Sequence, residues 1–412
     1  MQNTGFSKTS YLNKEFLTIS FMVINAFSWY FPLYVFFTNT FYSLEMKYEE
    51  LLLIFGFHYF TVLLFAVISA TLVNKILSRE LLLSLWMLLG TLSSISIILL
   101  KFGEYVYLYL VSFLFGMSLG FGFPSCLAYF SHKVNIEHRG RASGITMFAS
   151  FIGIFLLGFA SNILDFKENV LVFTLWRGVG FIVFYVFKPK ETKIKEVADV
   201  NYKSILSEKP FILYIIPWIM FSLVNFFGYP LQQHYLGIET STMIATAEFG
   251  IGSVCALIGG YFSDVIGRKR LVIFGYVILG IAYAMLSILP TNQISIIIYA
   301  VFDGVAWGLF ALIFFLVIWG DLAGNKPKDK YYLLGELPFL ISSYISIIVA
   351  PYAKIISIST SFSLASFFLF LAVLPLMYAP ETLPEKVIRR RELKKYVEKA
   401  KKLREKYEKG ED

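Results

Sequence analysis

Five ionisable side chains stand inside strongly apolar stretches of this sequence, where a charge is costly. They are His58, Arg177, Glu248, Asp303 and Glu336. An ionised group at the centre of a bilayer costs a few kcal/mol, so each one requires a partner, a water-filled cavity or a function. A buried carboxyl group can bind a cation or a hydroxyl group, or it can hold a proton. These residues therefore predict binding of ions or polar solutes, and none is predicted to be catalytic.

Asp303 is the strongest candidate of the five. It precedes Gly304 in an apolar stretch that begins near residue 294, which puts it about 14 Å into a helix and close to the midplane of a bilayer. There its carboxyl group would bind a cationic or hydroxylated part of a substrate, or carry a coupling proton. The alternative is a protonated or hydrogen-bonded aspartate that locks the packing of helices.

Membrane-spanning helices must position these side chains. Of the 412 residues, 57% are hydrophobic and the mean hydropathy is +0.68, which is more apolar surface than a water-soluble core can hide. A span needs roughly 20 apolar residues, and such stretches begin near residues 16, 51, 81, 104, 143, 169, 210, 241, 271, 294, 333 and 359. The first lacks a small-residue cleavage site, so we interpret it as a retained span. The sequence predicts an all-α membrane protein with twelve transmembrane helices.

The lysine and arginine residues indicate the orientation in the membrane. If the amino terminus is cytoplasmic, 31 of the 36 basic residues fall on the cytoplasmic side. The outward loops hold Lys47, Lys101, Lys167 and Lys354, and Arg177 lies within a span. The positive-inside rule therefore predicts cytoplasmic termini in a multi-pass protein of the plasma membrane. The same bias explains the net charge of +8 without a nucleic-acid partner.

Landmarks in the first half of the chain recur in the second half at a nearly constant distance. The pairs, displaced by 188 to 191 residues, are Gly116 and Gly304, Gly120 and Gly308, Gly144 and Gly335, and Glu191 and Glu381. This pattern predicts two six-helix halves, residues 1–187 and 210–379, related by a parallel repeat with a substrate path between them. Residues 188–209 are predicted to form a cytoplasmic linker. Residues 380–412 are predicted to form a charged cytoplasmic tail helix, because their apolar residues recur at helical spacing.

The repeat relates Glu248 to His58, since they stand 12 residues before Gly260 and Ala70, respectively. If the two side chains face one another across the interface, they would relay a proton or form an outer gate. The alternative is that each reaches separately toward the outer membrane interface.

Arg177 and Glu336 have structural interpretations beside the functional ones. Arg177 could recognise an anion, but pairing with Asp165 or extension to the membrane interface is favoured. Glu336 lies one turn into its span, beside Pro338. It is predicted to cap or gate rather than to bind substrate.

The outer end of the seventh span is rich in polar side chains. Those predicted to form a substrate-contacting rim are Asn225, Tyr229, Gln232 and Gln233. Gly228 and Pro230 stand within one turn and weaken a helix, in the region where cavity-lining helices of transporters bend. The alternative is an ordinary belt of amides and tyrosines at the membrane interface.

One motif after the eighth span is specific: Gly260-Tyr-Phe-Ser-Asp264-Val-Ile-Gly267-Arg268-Lys269-Arg270. It resembles the signature loop of the major facilitator superfamily. A glycine at the first position lets two helices approach closely. The aspartate can accept hydrogen bonds from the first N–H groups of a neighbouring helix.

The resemblance implies a cytoplasmic latch that holds the outward-facing state. Asp264 would meet the start of the fifth span, where Arg139, Gly140 and Arg141 form a second family-like loop. The segments Pro189 to Thr192 and Pro380 to Pro384 resemble the Pro-Glu-Ser/Thr elements of the sugar-porter and organic-ion branches. The implied architecture is two pseudo-symmetric bundles that work by alternating access.

The sequence also departs from the family pattern. The first-half counterpart of the signature loop has Asn74, Leu77 and Ser78 in place of aspartate, glycine and arginine, so its latch is predicted to be weak. Ser112 replaces the arginine common in the fourth span of proton-linked members. The fifth span lacks the Gly-Pro pattern associated with antiporters.

Other chemistry finds no support in the sequence. Cys126 and Cys255 lie in apolar segments, and the four histidines have no metal-ligand spacing, so no metal site is predicted. No phosphate-binding glycine loop, nucleophile elbow or zinc-protease helix is present. The sequence predicts no cofactor and no enzymatic activity.

These observations predict a monomeric uniporter or ion-coupled symporter of a small polar organic solute. Its partners would be the solute, the lipid bilayer and a coupling proton. One alternative is efflux of organic cations or drugs, which the carboxylate at mid-depth and the aromatic content of 18% favour. Another is a sensor or scaffold that has lost transport and works through its cytoplasmic tail.

Overall fold

The computed structural model describes residues 14–73, 76–187 and 200–384, together with six residues of the tail: Arg389, Leu393, Tyr396, Val397, Ala400 and Lys401. Asn74 and most of the predicted linker, including Glu191, lie outside the described residues. The prediction of a weak first-half latch at Asn74 is therefore not addressed by this structure. The six described residues of the predicted tail helix are helical.

Twelve helices in the described residues are long and apolar enough to cross a membrane. They are α1 Lys14–Tyr42, α2 Tyr48–Leu72, α3 Arg79–Phe102, α4 Tyr105–Lys133, α5 Arg139–Ile163, α6 Phe166–Phe187, α7 Lys209–Leu236, α8 Ile238–Val265, α9 Arg268–Ile288, α10 Gln293–Ala323, α11 Lys328–Tyr352 and α12 Ile358–Tyr378. Each begins within five residues of its predicted start. The described residues contain no β-sheet, and the predicted all-α fold class is confirmed.

Helices dominate because lipid offers no hydrogen bonds to the backbone, so each span must satisfy its own N–H and C=O groups. Two spans nevertheless change their winding. α4 is interrupted at Phe121 and Gly122, and α10 passes through a π-helical turn at Ala311–Phe315. The predicted weak point in α7 does not break the helix, which continues through Gly228 and Pro230 to its end.

The helices pack in two groups. α1 to α6 contact one another, and α7 to α12 contact one another. The groups meet where α5 lies against α8 and where α11 lies against α2 and α4. The start of α1 and the end of α12 lie on the same face of the molecule. The distribution of basic residues predicts that this face is cytoplasmic. The domain limits 1–187 and 210–379 stay predictions.

The repeated glycines perform the same task in both groups. A Cβ atom on Gly116 would lie 2.6 Å from the carbonyl oxygen of His58, so α4 can approach α2 closely only without a side chain there. A Cβ atom on Gly304 would lie 3.3 Å from Cα of Glu248, and one on Gly308 would lie 2.9 Å from Cβ of Cys255. Small residues at such contacts let helix backbones approach within a membrane. The repeat therefore fixes two equivalent helix pairs, α2 with α4 and α8 with α10.

Gly308→Val is expected to destabilise the protein by roughly 1–3 kcal/mol, because the added atoms overpack the contact between α8 and α10. The matched control is Gly250→Val on α8, where a Cβ atom would meet nothing within 4 Å. Thermal unfolding of the purified protein in detergent measures the difference. Equal melting temperatures for the two variants would contradict the assignment of this contact.

Candidate functional site

Two carboxyl groups lie together in the second half. Asp303 of α10 is 5% exposed, and Glu248 of α8 is partly buried. The two side chains interact electrostatically, since α8 passes directly beside Gly304, the residue after Asp303. The glycine that permits this approach is one that the repeat singled out. The packing of α8 against α10 therefore creates an acidic pair at about mid-depth.

Tyrosine and glutamine side chains surround this acidic pair. The hydroxyl of Tyr299 lies 3.3 Å from both Oε1 of Gln232 and the hydroxyl of Tyr283. Both tyrosines interact electrostatically with Asp303 and Glu248. Three helices, α7, α9 and α10, thus bring uncharged hydrogen-bonding groups to the carboxyl pair. Glu248, Asp303, Gln232, Tyr283 and Tyr299 are called the acidic cluster below.

The predicted rim on α7 divides between the cluster and its margin. Gln232 belongs to the cluster, and Tyr229 interacts with Glu248 while remaining 46% exposed. Nε2 of Gln233 donates to the Tyr229 hydroxyl at 3.0 Å. Asn225 is half-buried, and within the described ranges its side chain makes no hydrogen bond to the cluster. Of the four predicted rim residues, Tyr229 therefore reaches Glu248 directly, Gln232 joins the cluster through Tyr299, and Gln233 is linked to it only through Tyr229.

His58 lies elsewhere. It is fully buried in the first half, with Nδ1 3.2 Å from the carbonyl oxygen of Ser112 on α4. Its ring packs among Tyr34, Phe37 and Phe115 at centroid distances of 5.4 to 6.3 Å. The close contact between α2 and α4 turns the ring into the first bundle. The predicted pair of His58 with Glu248 across the interface is therefore not formed.

Arg177 on α6 also points into the first half. Its side chain is fully buried, and Nη1 donates to Oδ1 of Asn25 at 2.8 Å. The guanidinium carbon lies 4.6 Å from the ring centroid of Trp29 and 4.3 Å from that of Trp86. Cation–π contacts of this kind stabilise a desolvated guanidinium. The side chain neither pairs with Asp165 nor extends to the membrane interface, as had been expected, but packs inside the first bundle.

Glu336 is enclosed within the second half. Its side chain is fully buried, and Oε1 accepts a hydrogen bond from Nε1 of Trp319 at 2.9 Å. This bond links α11 to the end of α10. Gly335 allows the link, because a Cβ atom at that position would collide with the Trp319 ring.

The signature loop closes the predicted cytoplasmic face. Asp264, fully buried at the end of α8, accepts hydrogen bonds from the backbone N–H groups of Gly140 at 2.9 Å and Arg141 at 3.0 Å. Gly260 packs against Gly144 in the same place. The contact predicted between Asp264 and the start of α5 is present. A carboxylate of the second half thus caps a helix of the first.

Asp321, which was not predicted from the sequence, lies at the centre of this face. Its buried carboxylate forms an ion pair with Arg139 of the first half, and Nε of Arg268 lies 3.0 Å from its other oxygen. Arg268 also donates to the carbonyl of Ile136 at 2.8 Å. Opposite charges at buried sites are held because each would be costly alone. Asp321 therefore joins the two arginine loops that were predicted separately.

Glu381 from the segment after α12 completes the signature loop. It accepts hydrogen bonds from the backbone N–H groups of Arg268 at 2.9 Å and Lys269 at 3.2 Å. Gly267 has a φ angle of +103°, and a Cβ atom there would collide with the Glu381 side chain. Lys269 donates its ammonium to the carbonyls of Met377 and Ala379, both at 2.8 Å. The Pro-Glu-Thr element after α12 thus holds the signature loop in place through these hydrogen bonds.

The first half makes further charged contacts with α11. Arg79 at the start of α3 forms a buried ion pair with Asp329, and Lys328 donates to the carbonyl of Ser131 at 2.9 Å. These contacts were not predicted, because only a weak first-half latch was expected in this region. Beside them, Lys326 donates to Glu208 at 2.7 Å. That hydrogen bond raises the pKa of Lys326.

Aromatic side chains fill the space between the halves beside the π-helical turn of α10. The rings of Phe27 and Phe315 are 5.1 Å apart across the interface, and Phe31 and Phe339 are 6.4 Å apart. Phe315 and Phe339 stack edge to face at 5.1 Å. These rings and the charged contacts together close the passage between the bundles toward the predicted cytoplasmic face.

The opposite face is joined differently. Tyr344 of α11 donates to the carbonyl of Leu52 at 2.8 Å, and Tyr48 of α2 donates to the carbonyl of Ile348 at 3.0 Å. Neutral hydrogen bonds of this kind contribute less than bonds between charged groups. The strong connections between the halves that are described above therefore lie on one face.

Comparisons with known proteins agree with this architecture. The model of the Major Facilitator Superfamily matches residues 3–158. FucP, a major facilitator transporter solved in the outward conformation, superposes with a TM-score of 0.70 over 90% of this chain and 100% of its own, at 9% identity. The chain has the major facilitator fold. No curated protein sequence matches it.

Two further solved structures share the major facilitator fold. A variant of the E. coli fucose:proton symporter gives a TM-score of 0.71 at 10% identity, covering 89% of this chain and 98% of its own. The human organic anion transporter MFSD10 gives 0.62 at 13% identity, covering 88% and 99%. The resemblance to the major facilitator superfamily that was inferred from the sequence is confirmed at the level of the fold.

Some candidate site residues had weak signals in the sequence. Tyr299 stands four residues before Asp303, so both fall on one helix face; Tyr283 offered no such spacing. Asp321 could have been found as an acid ending a long apolar run. Metal binding receives no support from the described residues, which hold no group of three or more His, Cys, Asp or Glu side chains suited to an ion.

Asp264→Asn is expected to open the predicted cytoplasmic face, because hydrogen bonds to a charged group contribute roughly 1.5–3 kcal/mol and the amide weakens them. Thiol labelling of a Ser131→Cys reporter, with Cys126 and Cys255 replaced by serine, should become about tenfold faster. The control is Asp165→Asn, an exposed acid on the opposite face. If both variants label at the parent rate, Asp264 does not hold the closed state.

Proposed function

We propose that this chain is a secondary transporter of a small polar organic solute that works by alternating access between its two bundles. The acidic cluster is the observation that carries the proposal. It gathers two carboxyl groups, two phenol hydroxyls and an amide in the second bundle at about mid-depth. Such a set can both donate and accept hydrogen bonds, which suits hydroxyl or amino groups of a solute.

The position of the cluster supports this role. Glu248 and Asp303 each stand ten residues from the outer end of their helix, about 15 Å at 1.5 Å per residue. The aromatic rings and the charged contacts lie beyond them toward the predicted cytoplasmic face. A solute could therefore reach the cluster from outside while the other face is closed, as alternating access requires.

Proton coupling at the cluster is part of the proposal. Two carboxylates close together in apolar surroundings repel one another when both are ionised, so a bound proton relieves the repulsion. A solute that binds only the protonated pair would be carried with that proton. The fucose:proton symporter that shares this fold provides a precedent for such coupling. The absence of arginine at Ser112 leaves the carboxyl pair as the candidate proton carrier.

A second candidate is transport of organic cations. The tyrosine rings beside the carboxyl pair favour it, since aromatic faces and carboxylates both attract ammonium groups. The same charges disfavour an anionic solute at this cluster, although MFSD10 is an organic anion transporter. Operation as a monomer in the plasma membrane, with cytoplasmic termini, also belongs to the proposal.

Asp303→Asn is expected to reduce solute uptake into proteoliposomes at least tenfold, because transfer of the coupling proton requires a titratable group. Uptake is measured for a sugar, a carboxylate and an amine, with and without an inward proton gradient. Glu239→Gln, which removes an exposed acid in the first turn of α8, is the matched control.

The outcomes separate the alternatives. Sugar uptake driven by the inward proton gradient supports the symporter. Amine movement in the direction opposite to the proton flow supports cation efflux. Unchanged uptake in Asp303→Asn would remove the cluster from the transport site. No uptake of any solute by the parent, with a cellular phenotype lost when residues 385–412 are deleted, would favour a sensor or scaffold instead.

A further inference from the structure

A groove with a volume of about 490 Å³ lies on the outside of the first bundle, between α1, α5 and α6. Its walls include Leu17, Phe21 and Ile24 of α1, Ile145 of α5 and Val183 of α6. Leu17 is 57% exposed and Ile145 is 36% exposed, so the groove faces the surroundings of the bundle. It is separate from the acidic cluster and from the charged contacts.

The length of the groove matches one leaflet of a bilayer. It runs along α1 from Lys14 to Ile24, which is about 15 Å at 1.5 Å per residue. The hydrocarbon core is about 30 Å thick, so one leaflet is about half of that. Because Lys14 begins α1 and Phe187 ends α6, the groove opens at the predicted cytoplasmic face and stops near the midplane.

A cation stands at the mouth of this apolar groove. Nζ of Lys14 lies 4.8 Å from the ring centroid of Phe187, and it has no carboxylate partner in the part of the chain that the structure describes. The neighbouring Glu15 is directed to Lys133, with a separation of 3.7 Å. The mouth therefore carries a positive charge at the depth where lipid headgroups lie.

We propose that the groove binds an anionic phospholipid of the predicted cytoplasmic leaflet. Its phosphate pairs with the Lys14 ammonium, and one acyl chain lies along Leu17, Phe21 and Ile145. Charge complementarity at the mouth selects the anionic headgroup, because basic residues at this depth attract anionic lipids. The apolar walls, one leaflet long, accept a chain that a soluble anion does not have. The bound lipid joins three helices of the first bundle.

Lipid selectivity of the purified full-length protein tests this proposal. Native mass spectrometry compares retention of phosphatidylglycerol and phosphatidylcholine with identical chains. The parent is expected to retain phosphatidylglycerol preferentially, and Lys14→Gln should reduce that preference about fivefold, the effect of removing one basic group at the membrane surface. Lys47→Gln, which changes an exposed lysine on the opposite face, is the matched control.

A second pair of variants tests the groove itself. Ile145→Trp fills it and should abolish the selective retention, whereas Ile152→Trp, at a similarly exposed position on α5, should not. Equal retention of the two lipids by the parent would overturn the proposal. Retention of the parental lipid preference by Lys14→Gln would also overturn the proposal. This comparison remains decisive even if Ile145→Trp does not fold.

Two other occupants would also be revealed. If inorganic phosphate stabilises the parent against thermal unfolding as strongly as phosphatidylglycerol, the site belongs to a soluble anion and the lipid proposal fails. A dimer that Ile145→Trp dissociates, without lipid selectivity in the parent, would assign the groove to a second copy of the chain and likewise overturn it.

Discussion

The buried carboxylates of Asp264 and Asp321 connect the two bundles, and the rest of the structure depends on that connection. Asp264 accepts the first N–H groups of α5, and Asp321 pairs with Arg139 of the first bundle. A carboxylate enclosed among helices is stable only when charged or hydrogen-bonded partners surround it. The partners come from opposite bundles, so separating the bundles on this face leaves charges unpaired until water replaces the partners. Closure of one face is thus built into the electrostatics of the signature loop.

The contacts that join the two bundles differ between the two faces of the molecule, and this difference bears on the proposed function. Charged and aromatic contacts hold the predicted cytoplasmic face, whereas hydrogen bonds between neutral groups, such as Tyr344 with Leu52, join α2 to α11 opposite. The proposed alternating access would require the two sets to be nearly balanced once a solute is bound. The acidic cluster lies between the sets, where a change in its charge could shift that balance.

The two bundles share a backbone plan but differ in buried charge. Equivalent glycines bring α4 against α2 and α10 against α8. In the first bundle the neighbouring position is His58, packed among aromatic rings, and the buried charge is Arg177 between two tryptophans. In the second bundle, the residue at the position equivalent to His58 is Glu248, which interacts with Asp303. The repeat therefore preserves helix contacts, while the two interacting carboxyl groups occur only in the second of the two helix pairs.

The sequence by itself determined the helices, their number and the superfamily resemblance, because an apolar solvent forces every span into a helix and hydropathy records the length of each span. It also predicted Asp303 as the leading site residue, and the superfamily resemblance implied the contact of Asp264 with α5. The direction of each side chain around its helix was decided by the tertiary structure. Hydropathy is nearly uniform around a buried span. It therefore could not predict that His58 and Arg177 point into the first bundle or that Tyr283 lies beside the carboxyl pair. Asp321 became central only when α10 met α5, since an ion pair across 182 residues has no local sequence signal.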